Sequence, residues 1–458
     1  MSEAAFPAVS TARRPVTGLW LLIVALAISL LAYAMAGLGL NGRTPRDIVV
    51  YGAVFCSAFV AGWLVVRWSA PRADPVLYPT ATALAGLGIA MLYRIMVARG
   101  QSSIAREQAM WLLVGLAAFC LTLWFVRDDR QLNAYTYTLG LVGVVLLLLP
   151  VVPGIGREIN GARLWAEIGP FSFQPAELGK IFIVVFLAAY LTDKQELLAA
   201  GSGRFGLPRV KDLGPLLLAW GGSLAVLFLE RDMGASLLFF GVFVVMLWIA
   251  SGRASFLWIG VVLFALGAWF GFLVFDHVQA RIDTWMHALD PSKVFDEGYG
   301  QLAQGWFAMA TGGIVGTGLG QGSPTLIPYV GSDFIFAAFG EELGMIGAVA
   351  LLLLYLILIA RGLRIAMERS DTFGKLLATG LTTILALQTF AIVAGVTRLI
   401  PLTGVPLPLV SYGGSSRITT FIMLALLIRV SSGPLTRVGR PLVRVRSHSS
   451  KAKAPAHG

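Results

Sequence analysis

Charge is what this sequence has least of. Asp, Glu, Lys and Arg make up 13% of its 458 residues, about half the share carried by ordinary soluble domains. That is too little to coat one or two soluble domains of this length, which argues against a soluble enzyme, a disordered chain or a nucleic-acid binder. Cysteine is almost missing: Cys56 and Cys120 both lie inside apolar runs, so neither a disulfide framework nor a thiolate metal cluster can be built. The four histidines, His277, His287, His448 and His457, show no metal-ligand spacing. No internal repeat is visible, which removes support for an inverted-repeat transporter. No small-residue cleavage pattern follows the apolar stretch behind Arg13 and Arg14, so that stretch is expected to be a retained first span.

Apolar sequence is what remains. It amounts to 57% of the chain and comes in long runs, such as 141–152 and 346–360, rather than in short alternating strands. This predicts an all-α polytopic integral membrane protein. Cutting at charges and Pro/Gly clusters gives about twelve transmembrane helices, near 17–40, 48–66, 76–98, 108–126, 132–152, 174–191, 213–229, 233–250, 254–275, 334–360, 376–400 and 416–431. An even number puts both termini on one side. With cytoplasmic termini, the inner segments hold 22 of the 35 Lys and Arg residues and the outer ones 12, in keeping with the positive-inside rule. The same split accounts for the net charge of +11 without nucleic acid. The basic tail, 433–458, is expected to be a disordered cytoplasmic end drawn to anionic lipid.

Two outer segments are long, 153–173 and 276–333. Loops of this length in a compact protein are functional or disordered, and Trp285, Trp306, Phe307 and Tyr329 in the second argue against disorder. Charges in or beside spans need a reason, since each costs roughly 2.5–3.5 kcal/mol at mid-helix. Glu177 and Lys180 open the sixth span three residues apart, on one helix face, where they can pair. Such a pair either orients the helix at the interface or lines a charged cavity for an anionic headgroup, and spacing alone leaves both readings open. Glu230, Arg231 and Asp232 form an outer turn. Glu341 and Glu342 lie several residues into the tenth span, where acids face a wet cavity or pair with a cation. Arg398 and Arg417 bracket the outer loop 401–416, and snorkelling to the interface would explain either one. The glycine-rich stretch 316–322 follows no strand and is poorly suited to a dinucleotide; a loop whose amides approach a ligand suits it better.

Taken in order, five stretches resemble the SEDS family of shape, elongation, division and sporulation proteins. They are GARLWAEIGPFSFQPAELGK (161–180), ERDMGAS (230–236), GTGLGQGS (316–323), SDFIFAAFGEELG (332–344) and GVPLPLVSYGGSSR (404–417). The resemblance covers about 74–432. It implies a ten-helix core with the long extracytoplasmic loop 276–333, preceded at 1–73 by two additional N-terminal helices.

The resemblance further implies a peptidoglycan glycosyltransferase in the bacterial cytoplasmic membrane. Such proteins polymerise lipid II, the undecaprenyl-pyrophosphate disaccharide-peptide, at the outer membrane face. They work beside a class B penicillin-binding protein transpeptidase and other elongation or division proteins; the two extra spans and the short tail point to the elongation branch. An α-linked donor becomes a β-1,4 link, so one inverting displacement suffices, with a base for the acceptor hydroxyl and positive charge for the departing pyrophosphate. The motifs place Arg163, Trp165, Gln174, Glu177, Lys180, Asp232, Asp333, Glu341, Arg398 and Ser415 along the substrate path. A divalent cation, Mg or Mn, near Glu177 or Asp232 would suit pyrophosphate chemistry.

The base is where the chain departs from the family. The family's loop reads roughly D-P-x-G-x-G-Y-Q, and alignment on Gln301 puts Val294 in the Asp slot. Asp296 is the nearest carboxylate in the flexible stretch, and Asp290 stands second. Two other readings compete: a lipid II flippase, to which Glu177, Lys180 and Glu341 would offer a polar path, and a non-catalytic scaffold. The carboxylates of the outer loop favour the enzyme, because a flippase needs no base there.

Overall fold

The computed structural model describes residues 15–159, 162–168, 171–200, 221, 233–294 and 297–433. Eleven helices among the described residues are long and apolar enough to cross a membrane, and they coincide with eleven of the twelve expected spans. The remaining one, 213–229, lies outside the described residues except for 221, as do the basic tail beyond 433 and the turn at 230–232.

The first four spans are α1 (Pro15–Asn41), α2 (Ile48–Ser69), α3 (Leu77–Ala98) and α4 (Ser102–Phe125). A 3₁₀ turn, Asp129–Tyr135, leads into α5 (Thr136–Leu148), followed by α6 (Pro175–Asp193) and the short α7 (Gln195–Ala200). Next come α8 (Met233–Ser251) and α9 (Ala254–Val274). The two helices α10 (Asp276–His287) and α11 (Glu297–Gly312) occupy the long segment 276–333, and α12 (Ile335–Glu368), α13 (Thr372–Val396) and α14 (Gly414–Ser431) follow. The middle of the bundle is built from α3, α6, α13 and α14, whose apolar windows are each at least 78% buried; α9, at 11%, shows nearly all its surface outward. Threonines inside the spans return their hydroxyls to the carbonyl four residues back, as at Thr82, Thr192, Thr389 and Thr420. These four hydroxyls thereby enter a water-poor layer without being orphaned.

Contacts between connections sort the loops into two sets, and the sets match the alternation of spans. At one end Arg361 Nε donates to Asp74 Oδ2 at 2.9 Å, and Arg369 Nη2 reaches Asp129 Oδ2 at 2.6 Å. There too Thr372 Oγ1 donates to Gln195 Oε1 at 3.0 Å. At the other end Arg99 Nη2 donates to Thr325 O and Ile327 O, both at 3.0 Å, and the Gln174 amide donates to Ser415 Oγ at 3.0 Å. The sequence cut the tenth span at Arg361; the helix instead runs on to Glu368, because Arg361 is neutralised by Asp74 and Arg364 pairs with Glu368 one turn ahead.

The segment expected as a loop at 153–173 holds a three-stranded antiparallel sheet, β1 (Gly156–Ile159), β2 (Ala162–Ile168) and β3 (Phe171–Phe173). Arg157 pairs in register with Trp165, and Ala166 with Phe173. The strands are too short, and too mixed in polarity, for a two-residue alternation to show.

The tenth span is broken. At Gly344 the backbone leaves the helix (φ 66°, ψ −169°), and the glycine-rich segment crosses the gap. Thr317 and Gly318 donate their amides to Glu341 O and Glu342 O at 3.0 and 2.9 Å, while Met345 and Ile346 donate to Gly313 O and Ile314 O at 2.9 and 3.1 Å. The backbone groups freed by the break are thus satisfied by another segment, as a membrane interior requires. A Cβ at Gly344 would collide with the Gly316 nitrogen, so glycine is needed for closeness as well as for its φ.

Candidate functional site

Three segments at one end of the bundle meet above its centre: the β-sheet, the run from α10 to the start of α12, and the loop before α14. Between them lies a cavity of about 630 Å³, within the range of small-molecule sites. The sequence-selected Trp165, Gln174, Glu177, Lys180, Asp333 and Ser415 all line it. Pro175 at the first helical position and Glu177 in the first turn start α6 in the expected manner. They also aim Lys180 one turn deeper.

Lys180 Nζ lies 2.7 Å from Glu177 Oε2 and donates to Gln388 Oε1 at 3.3 Å. Gln388 in turn donates to Pro406 O at 3.0 Å. The pair is buried, so it is not a solvated interface pair. It forms the charged floor of the cavity, and a floor of this kind can receive an anion through Lys180.

A second cation on the wall was not picked out by sequence reasoning. Arg281 of α10 lines the cavity and donates Nη1 to Leu402 O and Thr403 O at 3.2 and 3.3 Å. Its only trace in the sequence was a position in the amphipathic stretch before Asp290. Gln301 also lines the cavity and is held by Pro328 O at 3.0 Å. Opposite them, burial pushes the Asp333 carboxyl above its ordinary value, while hydrogen bonds from Ser332 and its own backbone and the Arg281 charge pull it back.

The other selected residues stand elsewhere. Glu341 does not line the cavity: its Oε1 accepts the Ser323 amide at 2.7 Å. Glu342 accepts the Gly320 amide at 3.0 Å and is paired with Arg94, which also donates to Gly322 O at 2.6 Å. These two acids hold the glycine-rich segment, so that segment's amides serve carboxylates of the chain itself. Arg398 lies outside the lining and binds the carbonyls of Trp285 and Met286. Arg417 does not snorkel; it is fully buried and donates to Gln108 O at 2.8 Å and Ser411 O at 3.2 Å. Asp290 sits in the turn after α10, its amide bonded to His287 O at 3.1 Å and its carbonyl to Val294 N at 3.0 Å, away from the lining. Asp283 pairs locally, with His287 at 2.8 Å and Lys293 at 3.4 Å. Asp232 and Asp296 lie outside the described residues. So does the Arg163 side chain, although its backbone forms part of β2.

Among the described residues no cluster of three or more His, Cys, Asp or Glu could hold a metal ion. Glu177, engaged with Lys180, does not by itself make a cation cage.

Residues 76–434 match the model of the cell cycle protein family that groups FtsW, RodA and SpoVE. The chain belongs to this family. It is 44% identical to the peptidoglycan glycosyltransferase RodA of Mycobacterium tuberculosis over 424 residues, covering 91% of this chain and 90% of that one. It is 33% identical to the probable peptidoglycan glycosyltransferase FtsW of Geobacter metallireducens, covering 79% and 95%. Among solved structures it resembles a chain from a study of how a peptidoglycan synthase complex coordinates polymerisation and crosslinking, with TM-score 0.63, 28% identity, and 78% and 97% of the two chains covered. It also resembles the rod shape determining protein RodA of Thermus thermophilus, with TM-score 0.54, 28% identity, and 78% and 96% covered. The family match begins at 76, so α1 and α2 stand outside it.

Proposed function

We propose that this multi-pass bacterial membrane protein is a peptidoglycan glycosyltransferase of the RodA type, which polymerises lipid II into glycan strands. The observation that carries the reading is the cavity whose floor is the buried Lys180–Glu177 pair and whose wall carries Arg281. Two cations there suit the pyrophosphate of a lipid-linked sugar, and they stabilise the negative charge that grows on it as the glycosidic bond forms. The names of the relatives support the same activity. A flippase would need a polar path but no carboxylate-bearing loop above it, and a scaffold would need no charged cavity.

In the reaction a carboxylate of the outer segment removes the proton from the acceptor sugar hydroxyl, which attacks the donor's anomeric carbon; the pyrophosphate leaves toward Lys180 and Arg281. Asp296 is the proposed base, since Asp290 is tied into a turn away from the lining. A divalent cation, Mg or Mn, bound with the pyrophosphate would supply further charge. The proposed orientation puts both termini in the cytoplasm and the cavity's loops outside, with a class B penicillin-binding protein as crosslinking partner. Mixing the purified protein, its transpeptidase partner and lipid II tests the reading: glycan strands on a gel are expected, and their absence overturns it.

A further inference from the structure

Helix α10 carries Arg281 to the cavity wall and delivers the chain into the segment that bears Asp290 and Asp296. None of its residues is fully buried, and hydrogen bonds to the 398–403 segment anchor it. Arg398 donates Nε to Trp285 O at 2.8 Å and Nη2 to Met286 O at 2.7 Å. The Trp285 indole donates back to Arg398 O at 3.0 Å. Arg281 adds its bonds to Leu402 O and Thr403 O. The carbonyls of Trp285 and Met286 belong to the last turn of α10, where no helical partner exists and a cation is favoured.

The grip is bought with backbone strain. Arg398 has φ +59°, a left-handed conformation that a residue with a Cβ rarely adopts and that persists only where the surroundings demand it. This conformation sits at the turn out of α13, where the carbonyl meets the indole while the guanidinium reaches the end of α10.

We infer that Arg398 is a positioning residue for glycosyl transfer: by holding the carbonyls of Trp285 and Met286 it fixes the end of α10 from which the chain runs on to Asp290 and Asp296. The inference rests on the glycosyltransferase reading. It assigns Arg398 no contact with substrate, so it separates turnover from affinity. A misplacement of about 1 Å at a reacting group costs on the order of 10²-fold in rate, whereas Lys180 stands on α6 and Arg281 keeps its own bonds to Leu402 O and Thr403 O.

The test uses the full-length protein with its transpeptidase partner, comparing wild type with Arg398→Ala, Arg398→Lys and Trp285→Phe. Arg398→Ala is expected to lower kcat for lipid II polymerisation by roughly 10- to 100-fold with KM within about threefold. Arg398→Lys, which keeps one charged donor, should recover part of the loss. Trp285→Phe, which removes only the returning bond, should give a smaller fall of the same kind, and it keeps the test open if Arg398→Ala fails to reach the membrane. Hydrogen exchange across 276–294 should quicken in Arg398→Ala. Wild-type kcat in Arg398→Ala, a rise in KM alone, or unchanged exchange would overturn the inference. A wild-type protein that makes no strands would instead remove the glycosyltransferase reading, and the exchange measurement would still decide whether Arg398 holds α10.

Discussion

Lys180 Nζ and Glu177 Oε2 stand 2.7 Å apart on one face of α6, with both side chains buried beneath the cavity. Removing one partner strands the other charge, at a cost of about 3–5 kcal/mol. Lys180→Ala should therefore abolish strand synthesis and lower the melting temperature in detergent. The double variant Glu177→Leu with Lys180→Met removes both charges. It should recover most of the stability and none of the activity, and strands made by it would show the pair to be structural only.

The base is tested by two isosteric changes. Asp296→Asn should reduce polymerisation by about 10²-fold or more while lipid II still binds, whereas Asp290→Asn, at a turn outside the cavity, should stay near wild type. The opposite pattern moves the role to Asp290. Full activity in both removes a base from this loop.

Asp333 gives a pH signature. Burial raises its pKa in the folded protein, so the folded state is favoured while the carboxyl is protonated and loses that advantage as pH rises through the raised value. Asp333→Asn should match the wild type in thermal stability near pH 4 and exceed it increasingly toward pH 7. A difference that does not change with pH would contradict the burial of this carboxyl.

Two glycines separate strain from crowding. Gly313 and Gly316 both have positive φ, 54° and 91°, but a Cβ at Gly313 would meet open space and one at Gly316 would strike Glu342 O. Gly313→Ala should cost about 1 kcal/mol, and Gly316→Ala clearly more, read as melting temperatures. Equal costs would mean that the segment can draw away from α12.

Orientation is read by labelling. Ser323 is exposed in the glycine-rich segment, so Ser323→Cys in a background lacking Cys56 and Cys120 should react with an impermeant thiol reagent in intact cells. Labelling only after lysis would place the cavity on the cytoplasmic side.

The spans were legible because each is a long apolar run, and Glu177 with Lys180 because partners three residues apart share a helix face. What escaped depends on partners far along the chain. Glu341 read as a ligand because nothing local announces that the Ser323 amide binds it, and Arg398 read as a substrate contact or a snorkelling cation because its acceptors sit more than 110 positions earlier. Arg417 read as a snorkelling cation because one of its acceptors, Gln108 O, lies 309 positions earlier. Arg281 was passed over because a cation in a polar connecting segment ordinarily faces water, and only the approach of the 402–406 loop turns its surroundings into a cavity wall.

The Arg94–Glu342 pair has a consequence for biogenesis. Its members are 248 residues apart, so at roughly 5–20 residues per second Arg94 waits on the order of 10–50 s for its counter-ion to be synthesised. An unpaired arginine is costly in hydrocarbon, so α3 cannot settle in its final place when it first leaves the ribosome. The arrival of α12 supplies Glu342, the break at Gly344 and the carbonyls that the glycine-rich segment needs. The contacts among α3, the glycine-rich segment and α12 therefore form only once α12 has been made, and a chain truncated before α12 should be left with a loosely inserted α3 exposed to membrane proteases.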